Sequence, residues 1–334
     1  MYAERTSGDS MITRRLFHVG VIGTAVMANA PFARSASYPT RTIRLVCPFP
    51  AGGVVDVLSR SLGQTLSTEL GQTVIVDNRA GAGGMIGSLE VARANPDGHT
   101  LLFNSSSLVQ APAVAAQKLY DAVDDFTTIG SLGRTVMPLV VPALSPANTM
   151  EEFVAYARGK RLAYGTFGAG TTSHAFQQLF SDYNKLEMVH VPYKGEAPML
   201  NDLLSNQVAC AMGTMSTIAP QIEARTVKAL AMLSPDEVDG FANIPTFKNL
   251  GYPAEFDWRG GFIGLFGPAK LPAEITDILE KTFTKIVSTS AMQNIMKQNF
   301  VVGKPSVGRD AASEVAATQE AWTSLVSRLG LVIN

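Results

Sequence analysis

The stretch Cys47-Pro48-Phe49-Pro50-Ala51-Gly52-Gly53-Val54-Val55-Asp56 decides how this chain is read. Ahead of it stands Ile43-Arg44-Leu45-Val46-Cys47, a short apolar run of the kind that forms a buried strand. Behind it Val55, Leu58, Leu62, Leu66 and Leu70 recur every three or four residues, the period of a helix with one apolar face. The stretch is therefore a strand-to-helix turn. Pro48 and Pro50 stiffen it, while Gly52 and Gly53 free its backbone and let other atoms approach main-chain N–H groups. Such groups lie at the positive end of a helix dipole, where a carboxylate or phosphate is favoured. Read alone, the turn has two explanations: an anion cradle, or a tight connection that needs glycine only for geometry.

Working outward, the same arrangement recurs. Thr73-Val74-Ile75-Val76 reads as a strand and runs into Asp77-Asn78-Arg79-Ala80-Gly81-Ala82-Gly83-Gly84-Met85-Ile86-Gly87, a second glycine-rich turn entering a helix. This turn narrowly misses the dinucleotide fingerprint, because Ile86 stands where the third glycine is needed. No Gly-Lys-Ser/Thr follows any glycine loop, which excludes a nucleotide P-loop. A third strand, Thr100 to Phe103, ends in Asn104-Ser105-Ser106-Ser107. From the strand Leu139–Pro142 the pattern starts again. Thr149 with Glu152 forms a capping box. The strand Leu162–Thr166 ends in Phe167-Gly168-Ala169-Gly170-Thr171-Thr172-Ser173-His174, and a helix follows with Phe176, Leu179, Phe180 and Tyr183 expected inward. The strand Met188–Val191 ends in Pro192-Tyr193-Lys194-Gly195. Val208–Met212, Lys228–Met232 and Phe262–Phe266 read as further strands, and helical patterns near 272–288, 291–299 and 309–329 close the chain. Strands alternating with helices predict an α/β protein with mostly parallel sheets. Ligands of such sheets bind beyond the carboxyl ends of the strands, where these small polar turns lie.

The bulk properties narrow the class. The 334 residues are 46% hydrophobic and 16% charged, an ordinary globular composition long enough for two domains. The formal net charge is -1 with no basic block, so nucleic acid and anionic membrane are not expected partners. Residues 1–37 read as an export signal: Arg14-Arg15, an apolar stretch from Val19 to Ala28, then small residues to Ser37. Thr13-Arg14-Arg15-Leu16-Phe17 fits a twin-arginine signal, and an ordinary signal with paired arginines fits as well. Cleavage is expected within 33–38. No second segment is long and apolar enough to cross a membrane, so the mature chain is expected to be soluble and exported. Cys47 and Cys210 fall in separate strands and are expected to be core thiols.

Several blocks together carry a resemblance. They are Tyr38-Pro39, Pro48-Phe49-Pro50-Ala51-Gly52-Gly53 with Asp56, Asn78-Arg79 with Gly81-Ala82-Gly83-Gly84, Pro96-Asp97-Gly98-His99-Thr100-Leu101, Val191-Pro192-Tyr193-Lys194-Gly195 and Ile244-Pro245-Thr246. In this order they resemble the Bug family of periplasmic solute-binding receptors, of the tripartite tricarboxylate transporter type, over essentially all of 38–334. The resemblance implies a type II periplasmic-binding-protein fold, two α/β lobes closing on a ligand cleft, with 38–138 and 256–334 in one lobe and 139–255 in the other. It implies a monomeric receptor that captures a small organic carboxylate in the periplasm and delivers it to the permease subunits of a tripartite transporter, with no cofactor. The ligand-binding residues it implies are Phe49, Ala51, Gly52, Gly53 and Asp56 on the first loop and Gly83, Gly84 and Met85 on the second. Ser105 and Ser106 follow at the third turn, and Gly168, Gly170, Thr171, Thr172, His174 and Tyr193 come from the far lobe. Gly52, Gly53 and Gly84 are expected to present bare N–H groups to one carboxylate, met from the other side by Thr171, Thr172 and Tyr193. One departure stands out: many relatives carry an acid and an Asn where this chain has Gly213-Thr214, which argues against an amino-acid ligand.

Two other functions compete. A receptor of the same fold could signal to a sensor kinase, which sequence does not separate from transport. An α/β enzyme is the other. The Gly-x-Ser-x-Gly elbow is absent, and the four histidines form no His-x-x-x-His pair that would suggest a metal site. Asp56 and His174 could meet across a cleft but lack an activated nucleophile. No catalytic residue and no metal is therefore assigned.

Overall fold

The structure is a computed structural model, and it describes residues 38–331. The export signal and its cleavage position lie outside the described residues. In chain order the elements are β1 (Ile43–Cys47), α1 (Val54–Leu70), β2 (Val74–Asn78), a 3-10 turn (Ala82–Gly84), α2 (Met85–Ala92), β3 (Thr100–Ser105), α3 (Ser107–Val114), β4 (Phe126–Thr135) and β5 (Met137–Pro142). There follow α4 (Met150–Ala157), β6 (Ala163–Thr166), α5 (Thr172–Tyr183), β7 (Val189–Pro192), α6 (Glu196–Leu204), β8 (Cys210–Met212), α7 (Met215–Glu223) and β9 (Val227–Leu233). The chain closes with a 3-10 turn (Ala254–Phe256), β10 (Ile263–Pro268), α8 (Ala273–Val287), α9 (Ser290–Gln298), β11 (Val301–Val302), β12 (Ser306–Val307) and α10 (Gly308–Arg328).

These strands form two sheets. One has the order β11-β4-β10-β3-β1-β2, with β12 also on β4; the other has the order β7-β6-β8-β5-β9. In the first, β1 runs parallel to β2 and β3, and β10 runs antiparallel to both β3 and β4. The carboxyl ends of β1, β2, β3 and β4 thus share one edge with the start of β10. In the second, β6 is parallel to β7 and β8, and β5 is antiparallel to β8 and β9. The carboxyl ends of β6 to β9 share an edge with the start of β5. The chain steps from the end of β4 to the start of β5 through the single buried residue Val136, whose carbonyl accepts from Met215 N at 2.9 Å. It returns from the end of β9 to the start of β10. Both crossovers join the same two edges, so the turn-bearing ends of the two sheets face each other.

Each sheet has its own core. Leu58, Leu62 and Leu66 of α1 are fully buried against Leu45, Leu101 and Phe103 of the first sheet. Each such leucine contributes about 2 kcal/mol of burial. Gly71 ends α1 in the left-handed conformation, with φ 65°, which glycine adopts without strain. Around the second sheet, Leu139, Phe153, Tyr164, Phe176 and Met212 pack together. The last helix belongs to both: Val315 packs with Val46 and Phe266 of the first sheet, while Trp322, Leu325 and Val326 join the cluster of the second. Cys47 and Cys210 are buried free thiols on different sheets, as expected of core residues. Burial leads the causes that raise both thiol pKa values, which keeps them protonated and unreactive in the folded state.

One local expectation fails, and one strand carries no signal in the sequence. Tyr183 closes α5 but is 51% exposed, lying over Tyr252 and Phe256 at the surface. The ten-residue strand β4 carries no apolar alternation, because Thr127, Thr128, Gly130, Ser131 and Gly133 interrupt it. Gly130 is required there: a Cβ would lie 2.5 Å from the Phe283 ring.

Candidate ligand-binding cleft

The turn before α1 is built around Asp56. This third helical residue reaches back, so that Gly52 N donates to its Oδ2 at 2.9 Å. Arg60 Nε donates to the same oxygen at 3.0 Å and Asn78 Nδ2 to Oδ1 at 2.8 Å. Asn78 Nδ2 also donates to Phe49 O at 2.9 Å, which ties the first turn to the end of β2. Burial alone would raise the Asp56 pKa, but the bonds from Arg60, Gly52 and Asn78 outweigh it and hold the carboxyl below its ordinary value. Asp56 is thus a buried organiser of the loop. Gly53, the N-cap, differs from Gly52 in that its N–H finds no acceptor among the described residues; at both, no atom lies within 4 Å of where a Cβ would stand. Gly53 sits at the start of a 17-residue helix with an unoccupied donor and an open Cβ position.

The second turn leans on the first. Gly81, Gly83 and Gly84 all have positive φ, at 143°, 65° and 95°, which explains why glycine stands at each. Gly84 N donates to Gly81 O at 2.9 Å, so this N–H is committed inside the turn. A Cβ on Gly84 would meet Ser107 Oγ at 3.4 Å and Phe49 Cζ and Pro48 Cβ at 3.5 Å, which places the turns after β1, β2 and β3 in mutual contact. Met85 begins α2 and packs on the core beneath, and Gly83 faces Ala111 of α3. Asn104 pins the third turn: its Nδ2 donates to Ser88 Oγ, and its Oδ1 accepts from Ser105 N and Ser107 Oγ. Ser106 N donates to Phe262 O at 2.9 Å, and its hydroxyl has no partner among the described residues. Ala51 is exposed beside the first turn.

On the facing edge the polar side chains are occupied. The Thr171 hydroxyl donates to Gly168 O at 2.7 Å and accepts from His174 N at 3.4 Å, so it caps α5. Gly170 N donates to His174 Nδ1 at 3.1 Å. The His174 ring stacks on His190, with centroids 3.7 Å apart and planes 11° apart, and His190 Nε2 pairs with Thr166 Oγ1 at 2.7 Å. Burial holds both imidazoles neutral, lowering each pKa to about 4. Thr172 accepts from Gln110 Nε2 at 2.7 Å, a buried bond that joins α5 of the second sheet to α3 of the first. Tyr193 donates to Asp202 Oδ2 at 2.6 Å, and its phenol is pushed up to about 12, first by burial and then by that carboxylate. An acid does reach Thr214, from a place the sequence did not signal: Glu196 of α6 accepts from Thr214 N and Oγ1 at 2.6 and 2.8 Å and from the Thr217 hydroxyl. It caps α7, whose own N-cap side chain makes no such bond.

Asp56 and His174 each serve their own turn and do not approach one another through any hydrogen bond or ion pair. Among the described residues no three His, Cys, Asp or Glu side chains gather as a metal set. Two α/β units joined by two crossovers, with small polar turns at the strand ends of the connecting edges, define the class of two-lobed binding proteins. Within that class, residues 58–331 match the tripartite tricarboxylate transporter family receptor, and the chain belongs to this family. Protein BugT of Bordetella pertussis is 35% identical over 72% of this chain and 75% of its own. An R. palustris structure with adipate is 27% identical, with TM-score 0.79, over 88% of this chain and 99% of its own. The structure of MatC from Rhodopseudomonas palustris with bound malate is 26% identical, with TM-score 0.75, over 86% of this chain and 100% of its own. The structural neighbours also include periplasmic binding protein BugD, 30% identical with TM-score 0.78 over 88% of this chain and 99% of its own.

Proposed function

We propose that the protein captures a small organic carboxylate between its two lobes and hands it to the permease subunits of a tripartite tricarboxylate-type transporter. The lobes are residues 38–138 with 256–334, and 139–255. One observation carries the reading: the Gly53 N–H has no acceptor among the described residues and stands at the start of a long helix, beside an open Cβ position. A carboxylate placed there gains a main-chain donor and the helix dipole, the nearby Arg60 being committed to Asp56. The residues proposed to surround the ligand are Phe49, Ala51, Gly52, Gly53, Asp56, Gly83, Gly84, Met85, Ser105 and Ser106 on one side. Gly168, Gly170, Thr171, Thr172, His174 and Tyr193 are proposed on the other. Asp56, Thr171 and Tyr193 act there by holding the loops, given the bonds they already make. Adipate and malate, the ligands of the two R. palustris neighbours, set the proposed size range. The protein acts as an exported monomer without catalysis, and ligand binding shifts an open–closed equilibrium, because only a closed form lets both lobes touch the ligand.

A thermal-shift screen over organic acids tests this. A carboxylate at one hundred times its dissociation constant adds about 2.7 kcal/mol of stability. A screen of C4 to C6 acids with no shift at millimolar concentration overturns the reading.

A further inference from the structure

The core of the second sheet is completed by helices that begin on the first. α10 packs Val315 with the first sheet and, two turns on, buries Trp322, Leu325 and Val326 with Phe176 and Phe180 of α5. α3 does the same with Val114, its last residue. Trp322 is fully buried, and freeing it would expose a large apolar side chain, so the end of α10 stays with the second sheet. Between Val315 and Trp322 only Thr318 is buried. Its hydroxyl donates to Glu314 O at 2.7 Å, a back-bond of the kind that bends helices, and accepts from Gly261 N at 3.3 Å. One residue stands on the seam between the two cores. Gln110 of α3 is buried, and two of its groups engage the far side: its carbonyl accepts from Trp322 Nε1 at 3.3 Å, and its Nε2 donates to Thr172 Oγ1 at 2.7 Å. Thr172 opens α5. Trp258, in the crossover before β10, completes the layer, with its ring 5.2 Å from Phe176 and 6.0 Å from Trp322.

We propose that Gln110 is a latch between the lobes: its two bonds tie α5 and the end of α10 to the first lobe, and both break when the lobes part. This deepens the receptor reading and rests on it, because it names what sets the open–closed equilibrium of the proposed cleft. Hydrogen bonds between buried groups are strongest where water is excluded, so the latch holds best with the seam shut. Opening admits water, which satisfies Gln110 and Thr172 separately. The seam therefore has two stable arrangements, and bending at Thr318 lets Trp322 remain buried in both. A latch that populates the closed form before the ligand arrives raises the apparent affinity in proportion to the binding-competent fraction.

The test combines small-angle scattering, tryptophan emission and calorimetry on the purified protein, with adipate as the probe. Gln110→Met keeps the length and packing of the side chain and donates nothing to Thr172. It is expected to show a larger radius of gyration than the wild type without adipate, the same radius at saturating adipate, and about fivefold weaker adipate binding. The chain's two tryptophans, Trp258 and Trp322, both lie on the seam, so emission of ligand-free Gln110→Met should move to longer wavelength and return on adding adipate. Trp322→Phe keeps a ring, loses the indole N–H, and should widen the ligand-free radius in the same direction with about threefold weaker binding. It serves as the second variant if Gln110→Met folds poorly. Bonds that only support the fold would lower the unfolding midpoint and leave the ligand-free radius unchanged. That result in a folded Gln110→Met or Trp322→Phe protein overturns the latch. A wild type that ignores adipate counts against the carboxylate reading, while the ligand-free radius and emission decide the latch by themselves.

Discussion

The turns entering α1 and α5 are built alike in sequence and end up differently. Each follows a strand, carries glycines and opens a helix. At α1 the N-cap is Gly53, which has no side chain to offer, and its N–H stays open. At α5 the N-cap is Thr171, whose hydroxyl covers the His174 N–H, while the His174 ring covers the Gly170 N–H. The first turn keeps an open donor and the second is closed by its own residues. A glycine-rich turn is therefore not a binding site by composition. What decides is whether a neighbouring side chain already occupies the donors.

The sharpest way to break this contrast is to fill the open turn. Gly53→Val is expected to fold normally, because φ is -77° and nothing stands within 4 Å of the new Cβ. It should lower adipate affinity more than about a hundredfold, since the blocked donor and its neighbours contribute roughly 1.5–3 kcal/mol per charge-assisted bond. Calorimetry on wild type and variant decides it, and unchanged affinity moves the carboxylate away from this turn.

Next comes the organiser. Asp56→Ala leaves Gly52 N, Asn78 and Arg60 without their acceptor and should cost about 2–3 kcal/mol in urea unfolding. The folded pKa of Asp56 lies below the ordinary 3.8, so its contribution is present above that value and is lost as pH falls below it. Acid titration of wild type against Asp56→Asn reads this directly, with the variant showing a shallower loss below about pH 4.

The closed turn makes its own prediction. His174 and His190 are lowered from 6.5 to about 4, so the unfolded chain binds more protons than the folded one between those values. Stability is full above pH 6.5 and falls as pH drops toward 4. After allowance for solvent screening, the wild type should lose about 1–2 kcal/mol between pH 7 and 5.5, and His190→Gln should lose about half of that. A His190→Gln protein with the wild-type slope would show that the stacked pair is not the titrating group.

The smallest effect tests the link between the two turns. Thr172→Val removes the acceptor of Gln110 Nε2 and should cost about 1 kcal/mol. Because that bond joins the two lobes, adipate affinity should shift along with stability, whereas a purely local bond would change stability alone.

Much of this was legible beforehand because it is local. The period of Val55, Leu58, Leu62 and Leu66, the terminal Gly71 and the capping of Glu152 N by Thr149 each act within a few residues and took their expected form. Even so, Glu152 reaches Asn148 N at 2.6 Å, one residue earlier than the motif predicts. β4 was not legible. Its glycines and threonines carry no alternation, and the strand exists because β10 and β12 pair with it on either side and Phe283 packs over Gly130.

The alternation of strands, small polar turns and helices outside β4, the α/β class and the burial of Cys47 and Cys210 were determined by sequence alone. They follow from period, glycine and proline position and residue type, which act along the chain. The commitment of Gly52 and Gly84, the enclosure of Thr171, Thr172, His174 and Tyr193, the capping of α7 by Glu196 and the bonds of Gln110 to Trp322 and Thr172 were decided only in three dimensions. A donor is open or occupied according to what stands within about 3 Å of it. For these groups that neighbour is set by the packing of turns against one another, which no local pattern encodes.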